Sequence, residues 1–203
     1  MRNDETLYLS ASKAGVLFEV NVMKIAAISA SARIDGNTSA CLRIALERLE
    51  SCGFSTNLIE LSSYSIIPCH GCNIECIEDP ICPLISEDDV VSLWEEIIGF
   101  DCIIWGVPIY GNGVPGLLKC FFDRAQPLGH YEWYWKPQVV AIIIIGSSGH
   151  DQVMDCSKFL VEERRAVAWL KIQGWKGAAN RPEVMKSIFE LCETLKDSLH
   201  SHL

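Results

Sequence analysis

Residues 24–39, Lys-Ile-Ala-Ala-Ile-Ser-Ala-Ser-Ala-Arg-Ile-Asp-Gly-Asn-Thr-Ser, pass from an apolar run into a small polar loop and then into a helical pattern. Lys24 to Ile28 reads as a buried strand, and Ser29 to Ser39 as a loop whose far end opens a helix. A helix start carries unpaired backbone N–H groups and a dipole equivalent to roughly half a positive charge. An anion set against Asn37, Thr38 and Ser39 is therefore stabilised. Ser31, Thr38 and Ser39 add hydroxyls, Asn37 an amide, and Arg33 a permanent charge with a planar donor fork. The same residue types are the usual helix caps when no ligand is present, so the stretch alone fits either a phosphate cradle or a plain N-cap.

Downstream, strands and helices alternate. Helical periodicity runs from about Ser39 to Glu50 with Gly53 as the stop, and Thr56 to Leu61 reads as a second strand. Ser86-Glu87-Asp88-Asp89 forms an S-x-x-D cap ahead of Val90, Leu93, Trp94, Ile97 and Ile98. Cys102 to Trp105 reads as a third strand, Leu117 to Arg124 as a third helix, and Val139 to Ile145 as a fourth strand. A helix over Met154 to Arg165, a strand over Val167 to Ile172 and a last helix opening at Pro182 complete the order. Continuous apolar strands alternating with helices imply a doubly wound parallel α/β sheet, helices on both faces, with ligands bound at the carboxyl ends of the strands. The three most polar, Gly-rich loops follow strands one, three and four.

The bulk numbers agree with one such domain over residues 23–203, preceded by a loose extension over residues 1–22. The 203 residues are 49% apolar and 21% charged, enough for a sizeable core. A net charge of -9 and a pI near 5.0 oppose a nucleic-acid partner, which needs a clustered basic face. The longest clean apolar run, Val139 to Ile145, is far short of the about 18 residues that span a bilayer. Asp4, Glu5 and Glu19 stand where a secretory signal would carry basic or apolar residues, so the expected compartment is the cytoplasm. There the ten cysteines are core thiols, metal ligands or reactive groups rather than disulfides.

The loop after strand one has neither G-x-x-x-x-G-K-S/T nor G-x-G-x-x-G, and strand two ends in Leu61-Ser62-Ser63 without an acid to grip an adenosine ribose. A mononucleotide is the better fit. Here the chain resembles the flavodoxin-like NAD(P)H-dependent FMN reductase family, which includes the iron-sulfur flavoproteins. The resemblance rests on Ser29-x-Ser31-x-Arg33-x-x-Gly36-Asn37-Thr38-Ser39, Cys69-x-x-Cys72, Asp88-Asp89, Pro108-Ile109-Tyr110-Gly111-Asn112 and Gly146-Ser147-Ser148-Gly149, and covers about Lys24 to Leu199. It implies a five-stranded sheet of order 2-1-3-4-5, with Ser31, Arg33, Asn37, Thr38 and Ser39 around the FMN phosphate. It further implies that Pro108, Ile109, Tyr110, Gly111 and Asn112 lie beside the flavin ring and that Gly146 and Ser147 close over it. NADPH or NADH would be the co-substrate and a small molecule or a protein the electron acceptor. The assembly implied is a homodimer or homotetramer. Within the same fold, a non-enzymatic electron-transfer flavoprotein is the rival reading.

Cys69-x2-Cys72-x3-Cys76-x5-Cys82-Pro83 packs four thiols into one loop, a clustering similar to ferredoxin-like ligation of a 4Fe-4S cluster. Iron-sulfur flavoproteins place a compact cysteine motif here, usually with two residues between its second and third cysteines. The three found here change the reach of Cys76 relative to Cys72. Zinc and free thiols are the other readings. Cys41, Cys52, Cys102, Cys120, Cys156 and Cys192 are expected to pack as small apolar groups. Tyr131 to Trp135 is an aromatic run suited to a subunit contact or to core packing, Glu162 to Arg165 a solvated helix end, and His150 a solvated loop residue.

Overall fold

The computed structural model describes residues 22–72, 82–125, 139–161, 165–174 and 176–201. Cys76, the aromatic run 131–135, residues 162–164 and nearly all of the expected N-terminal extension lie outside the described residues.

In chain order the elements are β1 (Lys24–Ser29), α1 (Asn37–Glu50), β2 (Ser55–Glu60), α2 (Val90–Ile97), β3 (Cys102–Pro108), α3 (Gly116–Ala125), β4 (Val139–Gly146), α4 (His150–Cys156), β5 (Arg165–Gln173) and α5 (Pro182–His200). All four strand pairings are parallel, and the order is β2-β1-β3-β4-β5. The parallel sheet is the one expected from the alternation, and its order is the flavodoxin-like one that the family resemblance implies.

Side chains on successive strand positions point to opposite faces, and both faces are apolar. Ile25 and Ala27 of β1, Ile104 of β3 and Ile143 of β4 pack under α1 and α5. Ala26 and Ile28, Ile103 and Trp105, and Ile142 and Ile144 pack under α2, α3 and α4. Every residue of β3 and β4 is buried, each fully buried Ile contributing roughly 1.5–3 kcal/mol. No helix among the described residues is long and apolar enough to cross a membrane.

Four local expectations are corrected. The S-x-x-D cap is not used: α2 starts after Asp89 without a side-chain cap bond, and the Asp88 carboxylate accepts the Val90 N–H at 3.3 Å instead. The helix expected from Met154 to Arg165 runs from His150 to Cys156 and gives way to a short turn, Lys158–Leu160. The Ser157 hydroxyl donates to the Val153 carbonyl at 2.6 Å, a side-chain bond that competes with continued helix. Arg165 then opens β5 by pairing with Val139, and so is not a helix end. Cys156 is exposed rather than packed.

Candidate functional site

The loops after β1, β3 and β4 meet at the carboxyl edge of the sheet around one cavity of about 330 Å³, at the lower end of the range for small-molecule sites. Ser31, Arg33, Asn37, Thr38, Pro108, Ile109, Tyr110, Gly146 and Ser147 all line it, with Gly36 and Ile145. Ser39, Gly111 and Asn112 are not part of that lining.

The cradle side is built by α1. Its N-cap is Gly36, in extended conformation and with no side-chain cap bond, so the plain-cap reading fails at this helix. Asn37 does not cap either. Its Oδ1 accepts the Ala178 N–H at 3.0 Å, and its Nδ2 is buried with no partner among the described residues. A buried amide donor left unpaired is costly, and Asn37 lines a cavity headed by a positive helix end. Arg33 sits exposed on the rim. These donors fit an anionic group such as a phosphate.

Glycine brings the cradle close to the sheet. A Cβ on Gly106 of β3 would lie 2.7 Å from both Thr38 Cγ2 and Leu42 Cδ1, so only glycine admits the first turn of α1 at this depth. Ser39 is turned inward: fully buried, its hydroxyl donates to the Glu60 carboxylate and lies 3.1 Å from Ser29 Oγ, from which it can accept. Glu60 Oε1 also accepts the Asp35 N–H at 3.0 Å. It braces the loop, a role not read from the sequence. The strand ends one residue earlier than expected, at Glu60 rather than Leu61, so an acid does close β2 beside the hydroxyl-rich helix start, and that was the available signal.

The opposite wall is a two-residue turn. Tyr110 and Gly113 exchange both backbone bonds, at 3.1 and 3.0 Å, while Gly111 and Asn112 have φ of 57° and 59°, as a type I′ turn requires. The Tyr110 hydroxyl lies 3.4 Å from Ser31 Oγ and from the Ala32 nitrogen, so this wall touches the cradle. Ile109 N–H donates to Ile145 O at 2.9 Å, and Asn112 packs on Gly149. The His150 Nε2 lies 3.0 Å from the Ile172 carbonyl at the end of β5, away from a merely solvated position.

A second, smaller cavity of about 80 Å³ is lined by Cys69, His70, Cys72, Cys82, Pro83, Leu84, Asp123 and Arg124. Arg124 of α3 is 2% exposed. Its guanidinium meets Asp88 through two bonds, 2.6 and 3.2 Å, the Ile67 carbonyl at 3.1 Å and Cys82 Sγ at 3.3 Å. Burial opposes the charge, but bonds to Cys82 and Asp88 raise its pKa above the ordinary arginine value. Removing one partner of such a buried pair costs about 3–5 kcal/mol. Among the described residues no trio of His, Cys, Asp or Glu converges on a single ion. A cluster whose ligands are carried by separate irons does not need that convergence, and three soft thiols on one cavity suit it. Arg124 was missed in the sequence, where it reads as a helix-end charge. Its position beside Phe121, Phe122 and Ala125 on the buried side of α3 was the signal.

Cys41, Cys102 and Cys192 are core thiols. Burial pushes Cys41 up to about 11 and Cys192 up to about 12, and raises Cys102 further, which keeps them protonated and inert.

Residues 23–173 match the family model described as NADPH-dependent FMN reductase. Over 126 residues the chain is 41% identical to an iron-sulfur flavoprotein of Methanocaldococcus jannaschii, covering 62% of this chain and 63% of that protein. It is 32% identical to an iron-sulfur flavoprotein of Methanosarcina thermophila, covering 62% and 64%. The matched stretch thus spans under two thirds of these relatives. An NAD(P)H:quinone oxidoreductase from Methanothermobacter marburgensis has a similar fold, with a TM-score of 0.66 at 15% identity over 86% of this chain and 98% of that one.

Proposed function

This chain belongs to the NADPH-dependent FMN reductase family, and from that premise we propose that the 330 Å³ cavity holds FMN and that the protein is an NAD(P)H-dependent oxidoreductase. FMN held there would supply hydride-accepting chemistry between NADPH or NADH and a small-molecule or protein electron acceptor. The observation that carries this reading is the uncapped start of α1, with the unpartnered Asn37 Nδ2 beside it, opening into the cavity walled by Pro108, Ile109 and Tyr110.

The chain's own residues bind and orient. Backbone N–H groups at the start of α1, the Asn37 amide, the Thr38 and Ser31 hydroxyls and Arg33 meet the phosphate. Pro108, Ile109 and the Tyr110 turn offer a flat wall to the ring, with turn N–H groups available to its polar edge. Gly146, packed against Ile109, and Ser147 extend that wall, and Glu60 holds the loop in register.

We further propose that Cys69, Cys72 and Cys82, with Cys76 assigned from the sequence motif, hold a 4Fe-4S cluster, as the names of the relatives suggest. Such a cluster supplies one-electron transfer. The cysteine loop and the Arg124–Asp88 pair position its ligands.

The test is a comparison of FMN with riboflavin, which lacks only the phosphate. The cradle requires FMN to bind about tenfold tighter or more, since a charge-assisted hydrogen bond is worth about 1.5–3 kcal/mol. Equal affinity for the two flavins removes the phosphate assignment.

A further inference from the structure

Three of the contacts of Arg124 explain its burial: two bonds to Asp88 and one to the Ile67 carbonyl. The fourth does not serve the ion pair. Nε–H is directed at Cys82 Sγ, 3.3 Å away, on the cavity that Cys69 and Cys72 also line. Cys82 is itself buried, at 9% exposure, so water does not compete effectively for its sulfur.

Resting on the cluster reading above, we propose that Arg124 is a positioning residue that raises the reduction potential of an iron-sulfur cluster through its hydrogen bond to the Cys82 sulfur, with Asp88 as the opposing charge. Reducing a cluster by one electron adds one negative charge to it and its ligands. A donor on a ligand sulfur, and a cation held behind that donor in a buried site, stabilise the reduced form more than the oxidised one. Arginine keeps its proton at any working pH, so the contribution is fixed. Asp88 sits on the far edge of the same guanidinium, with its side chain fully buried. It offsets part of the positive charge and holds the planar fork so that Nε faces Cys82.

The two residues therefore act in opposite directions. Arg124→Lys keeps a cation for Asp88 but lacks the fork that reaches both Asp88 and Cys82. Its cluster is expected to be harder to reduce. Asp88→Asn keeps one acceptor oxygen, for the Ile67 or the Val90 N–H group, which bond to separate carboxylate oxygens, and removes the negative charge, so its cluster is expected to be easier to reduce. Each shift is expected to be about tenfold in the one-electron equilibrium, which is about 59 mV.

The measurement is an anaerobic redox titration of wild type and both variants, following the cluster by electron paramagnetic resonance, with iron, acid-labile sulfide and far-UV circular dichroism on the same samples. Opposite displacements of the potential support the proposal. Unchanged potentials, or displacements of the same sign, overturn it while leaving the cluster reading intact. Loss of the cluster with native circular dichroism makes the pair a structural brace and also overturns it. Should Arg124→Lys fail to fold, the sign of the Asp88→Asn shift decides. Absence of iron and sulfide from anaerobic wild type removes the cluster reading and this proposal together.

Discussion

Replacing Gly146 by alanine should move the wall of the proposed flavin site without touching any polar group. The added Cβ would lie 2.6, 2.7 and 2.8 Å from Cδ1, Cγ1 and Cβ of Ile109, where carbon atoms normally sit about 3.5–4.0 Å apart. The outer two atoms can swing, though isoleucine is stiff at χ1. The third is fixed to the backbone, and Ile109 N–H is bonded to Ile145 O at 2.9 Å. The strain is therefore relieved by displacement of the Pro108–Gly113 loop, and overpacking of this kind costs about 1–3 kcal/mol. Returning the loop to its binding position against FMN opposes binding by up to that amount, a loss of affinity of about 5- to 150-fold. The apo protein should lose about 2–4 °C in Tm per kcal/mol. Fluorescence titration of FMN and thermal melts read both quantities. Gly116→Ala is the control: its Cβ would meet nothing within 4 Å, so FMN affinity should not change and stability should rise by about 0.4–1 kcal/mol. Wild-type FMN affinity and Tm in Gly146→Ala would refute the assignment of this wall.

Other expectations follow from the cradle and the thiols. Arg33→Ala combined with Thr38→Ala should weaken FMN binding about tenfold or more by removing two phosphate donors, with riboflavin affinity unchanged in the same titration. Glu60→Gln should retain the fold but loosen the loop held at Asp35 N–H and Ser39 Oγ; the expected sign is weaker FMN binding, and equal affinity would show that the brace is idle. Native thiol labelling near pH 8 should modify Cys156, which is exposed and lies outside the proposed cluster, before Cys41, Cys102 and Cys192, which are buried with raised pKa values. Mass spectrometry of the labelled peptides gives the order.

The fold was legible because the chain's period changes cleanly, from continuous apolar runs such as Val139 to Ile145 to helical spacing such as Val90, Leu93, Trp94 and Ile97. The position of the cavity followed from the fold, since the loops at the strand carboxyl ends meet around it. Nine of the twelve residues expected around the flavin line the cavity. Ser39 does not, because a hydroxyl two residues into a helix can point either to a ligand or back to the sheet. Only the three-dimensional approach of Glu60 and Ser29 decides which. Gly111 and Asn112 shape the turn with positive φ rather than line the space. Arg124 illustrates the general limit: a charge on a buried helix face is paired across the fold, 36 residues from Asp88 and 42 from Cys82, and no local pattern announces that pairing. The end of α4 escaped for a similar reason, since Ser157 and the pairing of Arg165 with Val139 override the helical preference of the intervening residues.

Anaerobic stopped-flow mixing of the FMN-loaded protein with NADPH and, separately, with NADH tests the reductase reading most directly. Rapid loss of flavin absorbance with at least one of the two nucleotides, followed by its return on adding an electron acceptor, is the predicted result. Absorbance that resists both nucleotides yet bleaches with dithionite would contradict it, and would make the protein an electron carrier rather than an enzyme.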